Sequence, residues 1–191
     1  MPRTTTDAVP HGRLRTLEQP VLSAGADVGL RPWHPDDRDT VVAAYADPDI
    51  AYWHARTMTV DEAATWIDHW PRRWADETGA GWAITLDGEA VGQLSLRQLN
   101  HADGLTDLSY WVLPTARGRG AATAALGAVA HWSFDELGLY RIVVDHSVRN
   151  TASCAVATKA GFRLEGTKRE DALHADGWHD MHQHARVAGD G

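Results

Sequence analysis

Residues 112–123 read Val112-Leu113-Pro114-Thr115-Ala116-Arg117-Gly118-Arg119-Gly120-Ala121-Ala122-Thr123. A strand-like run over Thr106–Leu113 stops at a proline turn. An Arg-Gly-Arg-Gly loop follows and opens an alanine-rich helix, expected from about Gly118 to Leu137 with Gly138 just past its end. This order suits a diphosphate. Glycines let the backbone approach closely, free N–H groups point outward, and the helix N-terminus adds positive potential. Arg117 and Arg119 add charge.

The bulk of the chain bounds what surrounds that loop. Its 191 residues suffice for one domain with a real core, and its 43% hydrophobic and 23% charged residues are ordinary for a globular protein. A net charge of −8 is a poor match for a nucleic-acid backbone and suits a cationic partner such as an amine. The single cysteine, Cys154, excludes an internal disulfide and fits a reducing compartment. No apolar run approaches the ~18 residues of a membrane span, and no apolar signal core opens the chain. The expected setting is the cytoplasm, away from membranes, as a monomer or homodimer.

Working outward in both directions gives one domain. Residues 1–26 lack a sustained period and are expected to form a flexible arm, with a short ordered piece around Leu14–Leu22. The domain proper is expected over 27–191. Asp27–Trp33 is a first strand. Pro35, Val41, Val42 and Tyr45 mark a short helix that Asp47-Pro48 stops. Thr59-Val60-Asp61-Glu62 is a capping box for a second helix carrying Ala63, Trp66, Ile67, Trp70 and Trp74, with a kink or end expected at Pro71. Asp87-Gly88 joins strands at Trp82–Leu86 and Ala90–Leu99 as a hairpin. Beyond the central helix come a strand at Arg141–His146, a helix at Asn150–Ala160 closed by Gly161, and a final strand pair, Phe162–Lys168 and Trp178–Val187.

This order and these motifs resemble the GCN5-related N-acetyltransferase (GNAT) superfamily, and within it the branch that acetylates the N-termini of proteins, including ribosomal ones. The similarity covers roughly Val28 to Val187. It rests on Arg117-Gly118-Arg119-Gly120-Ala121-Ala122, on Tyr110-Trp111-Val112-Leu113-Pro114 before it, and on Asn150-Thr151-Ala152-Ser153 followed by Lys159-Ala160-Gly161-Phe162 and Glu165-Gly166. The near-terminal His179-Asp180 also fits. The resemblance implies an α/β (mixed α+β) fold. A twisted mixed sheet of six or seven strands would carry helices on both faces and splay at a coenzyme A site.

The roles implied follow from that likeness. Acetyl-CoA is the expected cofactor, its pyrophosphate held by Arg117, Gly118, Arg119, Gly120, Ala121, Ala122 and Thr123. Trp111, Val112 and Leu113 would bond its pantetheine arm, with Asn150, Ser153 and Lys159 on the facing side. Asp107 is the expected general base, with His146 or a water as alternatives. Ser153 is the expected acid for the leaving sulfur, with Tyr110 in reserve. The acceptor walls are expected to include Tyr52, Trp53, His54, His146 and Trp178. Nothing else names the amine, which could be a peptide N-terminus or a small molecule.

Other readings fit less well. A Rossmann site fails because Thr123 stands where a third small residue belongs, and no phosphate-binding Gly-x-x-x-x-Gly-Lys-Ser/Thr occurs. A coenzyme-A-binding sensor without catalysis, or an acyltransferase modifying antibiotics or metabolites with another acyl-CoA, remains open. Asp180, His182 and His184 share one strand face, but no second cluster in the sequence completes a metal site, so none is expected.

Overall fold

The computed structural model describes residues 5–190. Eight strands form one open sheet: β1 (Leu22–Ser23), β2 (Val28–Pro32), β3 (Ala80–Leu86), β4 (Glu89–Asn100), β5 (Leu105–Val112), β6 (Arg141–Ser147), β7 (Arg163–His174) and β8 (Gly177–Val187). Their order is β1-β2-β3-β4-β5-β6-β8-β7. Neighbours are antiparallel except β5 and β6, which run parallel. The eighth strand is the two-residue β1, too short for a periodic pattern to reveal.

Helices cover both faces. On one side lie α1 (Arg38–Ala46), α2 (Pro48–His54) and α3 (Val60–Ala75), around a core of Val41, Tyr45, Ile50, Ile67, Trp70 and Trp111. On the other lie α4 (Ala121–Trp132), continued by a π-helical turn over Ser133–Leu137, and α5 (Thr151–Lys159), with Leu30, Trp82, Leu94, Leu108, Leu126 and Phe162 in the core beneath. Trp70 lies so close to the sheet that a Cβ on Gly81 would sit 2.3 Å from its ring, so α3 seats only over a glycine.

Three expectations change. Asp47-Pro48 does not simply stop a helix. The Asp47 carboxylate accepts from Ile50 N at 3.0 Å and caps α2, with Pro48 at its first position. Tyr52, Trp53 and His54 therefore lie on a helix. Pro71 does not end α3, which runs on to Ala75, anchored at its start by the capping box between Thr59 and Glu62. The expected arm is packed over its described part: Val9 and Leu14 are fully buried in the core, and Leu22 pairs with Leu30. Residues 1–4 lie outside the described residues. No helix among those described is long and apolar enough to cross a membrane.

Candidate active site

The decisive feature is a split in the sheet. β5 pairs with β4 from Leu105 to Val112, but with β6 only through Leu105–Arg141, Thr106–Ile142 and Asp107–Val143. Past Asp107 the two parallel strands part. From Leu108 onward β5 therefore presents backbone groups that no strand covers, the same groups that elsewhere recruit an added strand or an extended ligand.

A cleft of about 640 Å³ opens on one side of this gap. The sequence places its floor: Gly118 and Gly120 have φ values of +76° and +79°, a left-handed backbone that glycine adopts without strain. Gly120 is the N-cap of α4 and supplies no side chain, so the N–H groups of its first turn stay uncapped. Ala121, Ala122 and Thr123 line the cleft there, Trp111 and Val112 line its strand side, and Asn150, Ser153 and Lys159 face them from α5. Small alanines at 121 and 122 leave this approach open.

Two arginines and one leucine depart from expectation. The Arg117 guanidinium reaches the cleft rim but is held by Asp47 at 2.7 Å and Asp49 at 2.8 Å. It ties the loop to the start of α2. Arg119 turns away to Asp87 at 3.4 Å and does not line the cleft. Leu113 packs against the α1–α3 core, and its N–H is taken by Val91 O at 2.8 Å. The uncapped backbone N–H groups at the start of α4 are therefore the donors this loop leaves open to the cleft. Arg117→Ala should lower stability by less than ~1 kcal/mol, because the pairs are largely exposed. Coenzyme A affinity measured by calorimetry should fall by less than tenfold, and a larger loss would assign the guanidinium itself to the phosphates.

A second cleft of about 380 Å³ lies across the split and is lined by Arg97, Asp107, Ser109, His146, His174 and Met181. Both clefts share Trp53, His54, Tyr110, Asn150 and Ser153. At that junction the Tyr110 hydroxyl lies 2.7 Å from Ser153 Oγ. Burial pushes the Tyr110 phenol up to about 12, with Ser153 opposing, so it remains protonated. Burial pushes the His54 imidazole down to about 4, only partly offset by the Tyr110 backbone, so it is neutral at pH 7. Asn150 Oδ1 accepts from Ser153 N at 3.0 Å, which fixes the first turn of α5.

The remaining expected residues divide. Asp107, at the vertex of the split, is exposed, and its carboxylate takes no side-chain hydrogen bond among the described residues. Trp53, His54 and His146 line the second cleft. Tyr52 does not, but backs it by packing on Trp53 and His174. Trp178 is 59% exposed near the β7–β8 turn and belongs to neither cleft. Cys154 also lines neither. Arg97 escapes sequence reading because the β4 register shifts between Leu96 and Leu99, which breaks the alternation that would have shown its face. Ser147, His179 and Asp176 are linked at 2.9 and 2.8 Å, but Ser147 is buried and its hydroxyl also accepts from Arg149 N, so the trio braces a turn.

The profile of the family described as the acetyltransferase (GNAT) domain matches residues 27–163. The chain belongs to the GNAT family. Among curated relatives, YdaF of Bacillus subtilis (strain 168), provisionally named a ribosomal N-acetyltransferase, is 34% identical over 115 residues, 60% of this chain and 62% of that protein. The L-amino acid N-acetyltransferase AaaT of Escherichia coli (strain K12) is 26% identical over 166 residues, 85% of this chain and 99% of that protein. The solved structure of Mycobacterium smegmatis RimJ in complex with CoA-disulfide superposes with a TM-score of 0.78 at 30% identity, covering 89% of this chain and 86% of that one. The chain thus spans about three fifths of the curated ribosomal relative it matches. The split sheet and the uncapped α4 turn are the parts of this GNAT domain that its sequence motifs describe.

Proposed function

We propose that the protein is an acetyl-CoA-dependent N-acetyltransferase acting on a primary amine, with a peptide N-terminus as the acceptor. One observation carries this reading: two clefts meet through the split between β5 and β6, with a phenol–hydroxyl pair at the junction. The uncapped α4 turn fits a pyrophosphate, and the open edge of β5, where the Tyr110 backbone bonds His54 and Val112 O accepts from Arg117 Nε, leaves its other backbone groups to an extended amide-bearing arm. Lys159 stands along the same cleft as a further cation. Bound there, acetyl-CoA supplies the activated acyl group as its thioester.

The chain's own residues supply three services. Asp107 lies in the acceptor cleft, where a carboxylate attracts an ammonium group and takes its proton directly or through a water. An α-amine has an unperturbed pKa of about 8, so this help is modest. Tyr110, backed by Ser153, donates a hydrogen bond toward the departing sulfur. Full transfer from a phenol held at about 12 to a thiolate of pKa ~8.5 is uphill, so the pair stabilises charge and does not titrate. Asn150 holds Ser153 in place at the junction of the two clefts.

Asp107 lines the acceptor cleft and favours a cationic acceptor, whereas Asp145 and Asp171 are paired with Lys168; Arg97 in the same lining offers a donor for a peptide carbonyl or carboxylate. A net charge of −8 argues against a nucleic-acid partner, and a cytoplasmic setting with one free cysteine suits the chemistry. Thiol release from acetyl-CoA over short peptides and small amines tests the proposal. Turnover with peptides is the expected result; coenzyme A binding without release from any amine would overturn it. Asp107→Asn should lower kcat about tenfold near pH 7, less than the ~10²–10⁴-fold typical of general-base catalysis because the α-amine needs little help, and less still at pH 9, where the amine deprotonates unaided. An unchanged rate at pH 7 would remove Asp107 from the mechanism.

A further inference from the structure

The geometry points to a transition-metal site of the zinc class, with His146, His182, His184 and Cys154 as its four ligands. In sequence, His182 and His184 lack partners. The fold supplies them. β6 and β8 pair His146 with His182 and Val144 with His184, so all three imidazoles leave the sheet on one face. Helix α5 covers that face and brings Cys154 down onto it. One donor atom from each of the four lies within 4.8 Å of every other.

The hydrogen bonds around the cluster already set the tautomers that ligation needs. His146 is 5% exposed, and its Nδ1 bonds Ser147 O at 2.8 Å. A carbonyl only accepts, so Nδ1 carries the proton and Nε2 presents a lone pair. That Nε2 is buried and has no partner among the described residues. His184 is 1% exposed and repeats the pattern: Nδ1 bonds Phe162 O at 3.1 Å, and Nε2 lies 3.7 Å from Cys154 Sγ. His182 Nδ1 is likewise buried and unpartnered. Backbone carbonyls that orient the far nitrogen are the usual outer support of metal-binding imidazoles.

Three imidazole nitrogens and one cysteine sulfur make a three-nitrogen, one-sulfur set, which suits four-coordinate zinc. Bond lengths of ~2.0–2.3 Å in a tetrahedron put neighbouring donors ~3.3–3.8 Å apart. The Cys154–His184 pair already meets this at 3.7 Å; the others close by about 1.5 Å at most from their 4.8 Å limit. Of the four ligands, His146 also lines the second cleft. Bound metal would pin the first turn of α5, including the adjacent Ser153, to β6 and β8.

The test uses the full chain, stripped with a chelator and titrated with Zn²⁺ and with Co²⁺ alone. One equivalent should bind. Cobalt should give the intense visible bands of a four-coordinate ion together with a near-ultraviolet thiolate charge-transfer band. Zinc should raise Tm. Cys154→Ser should abolish the charge-transfer band, and Cys154→Ser and His182→Ala should each weaken zinc binding more than ~10-fold, since even loss of an outer-shell partner costs that much. Six-coordinate cobalt, absence of the thiolate band in the unmodified chain, or zinc binding by both variants as tight as the parent's would each overturn the site. None of these readouts involves acyl transfer, so they stand apart from the enzymatic proposal.

Discussion

Tyr110→Phe should lower kcat for acyl transfer about 100-fold, the loss typical of one well-placed donor, while changing coenzyme A affinity less than about twofold. The substitution deletes one oxygen from a ring whose apolar body packs against the sheet core. What disappears is the hydroxyl 2.7 Å from Ser153 Oγ, at the only place where both clefts and a protonated phenol coincide among the described residues. A hundredfold loss corresponds to about 2.7 kcal/mol of transition-state stabilisation. Ser153→Ala should cost less, since it removes the second member of the pair and leaves the phenol. Its backbone N–H keeps the Asn150 cap. Pre-steady-state thiol release and calorimetric binding separate the two effects. An unchanged kcat, or a fall in affinity as large as the fall in rate, would take Tyr110 out of the reaction.

Glu77→Ala should destabilise the fold by about 3 kcal/mol or more, an estimate built from charged hydrogen bonds worth ~1.5–3 kcal/mol each. The Glu77 carboxylate is buried and accepts from Gly12 N at 2.6 Å, Leu14 N at 2.8 Å and the Arg15 guanidinium at 3.4 Å. It latches the N-terminal segment onto the end of α3. Its removal leaves buried N–H groups without an acceptor. Burial pushes this carboxyl up, but the N–H groups of Gly12, Leu14 and Arg15 and the Arg15 charge outweigh it and hold the group below its ordinary value. The folded pKa therefore lies below the unfolded one, about 4.3 for glutamate. The stabilisation is fully present above the unfolded value and is lost as pH falls through the folded one. Chemical denaturation between pH 7 and pH 3 should show the difference between parent and Glu77→Gln shrinking toward acid. A constant difference would mean that the latch does not titrate.

The backbone of the glycine loop was legible because its requirements are local. Left-handed φ at 118 and 120 and an uncapped helix start need glycine and small residues at fixed offsets, and a sequence displays these directly. The capping box at Thr59–Glu62 and the Asp87-Gly88 hairpin were legible for the same reason. Arg119, unlike Arg117, which lines the cleft, turns away because a long side chain can serve several partners. Which carboxylate captures it depends on where α2 and the β3–β4 turn come to rest. Trp178 misled differently, since an aromatic near a turn gives no sign of which way it faces.

The order of strands and helices other than β1 and α2, and the glycine loop, were set by the chain itself, through periods and offsets of a few residues. Three things were decided only by packing across long separations. β5 and β6 part after three register pairs, which creates the junction where Tyr110 meets Ser153. Val9 and Leu14 find their burial only once Glu77 has captured the segment that carries them. Three histidines and a cysteine, unremarkable in sequence, converge because β6 pairs with β8 and α5 folds over both. Local backbone preferences are written in neighbouring residues; which side chains meet across a sheet is set by register and layer, and those exist only in the folded molecule.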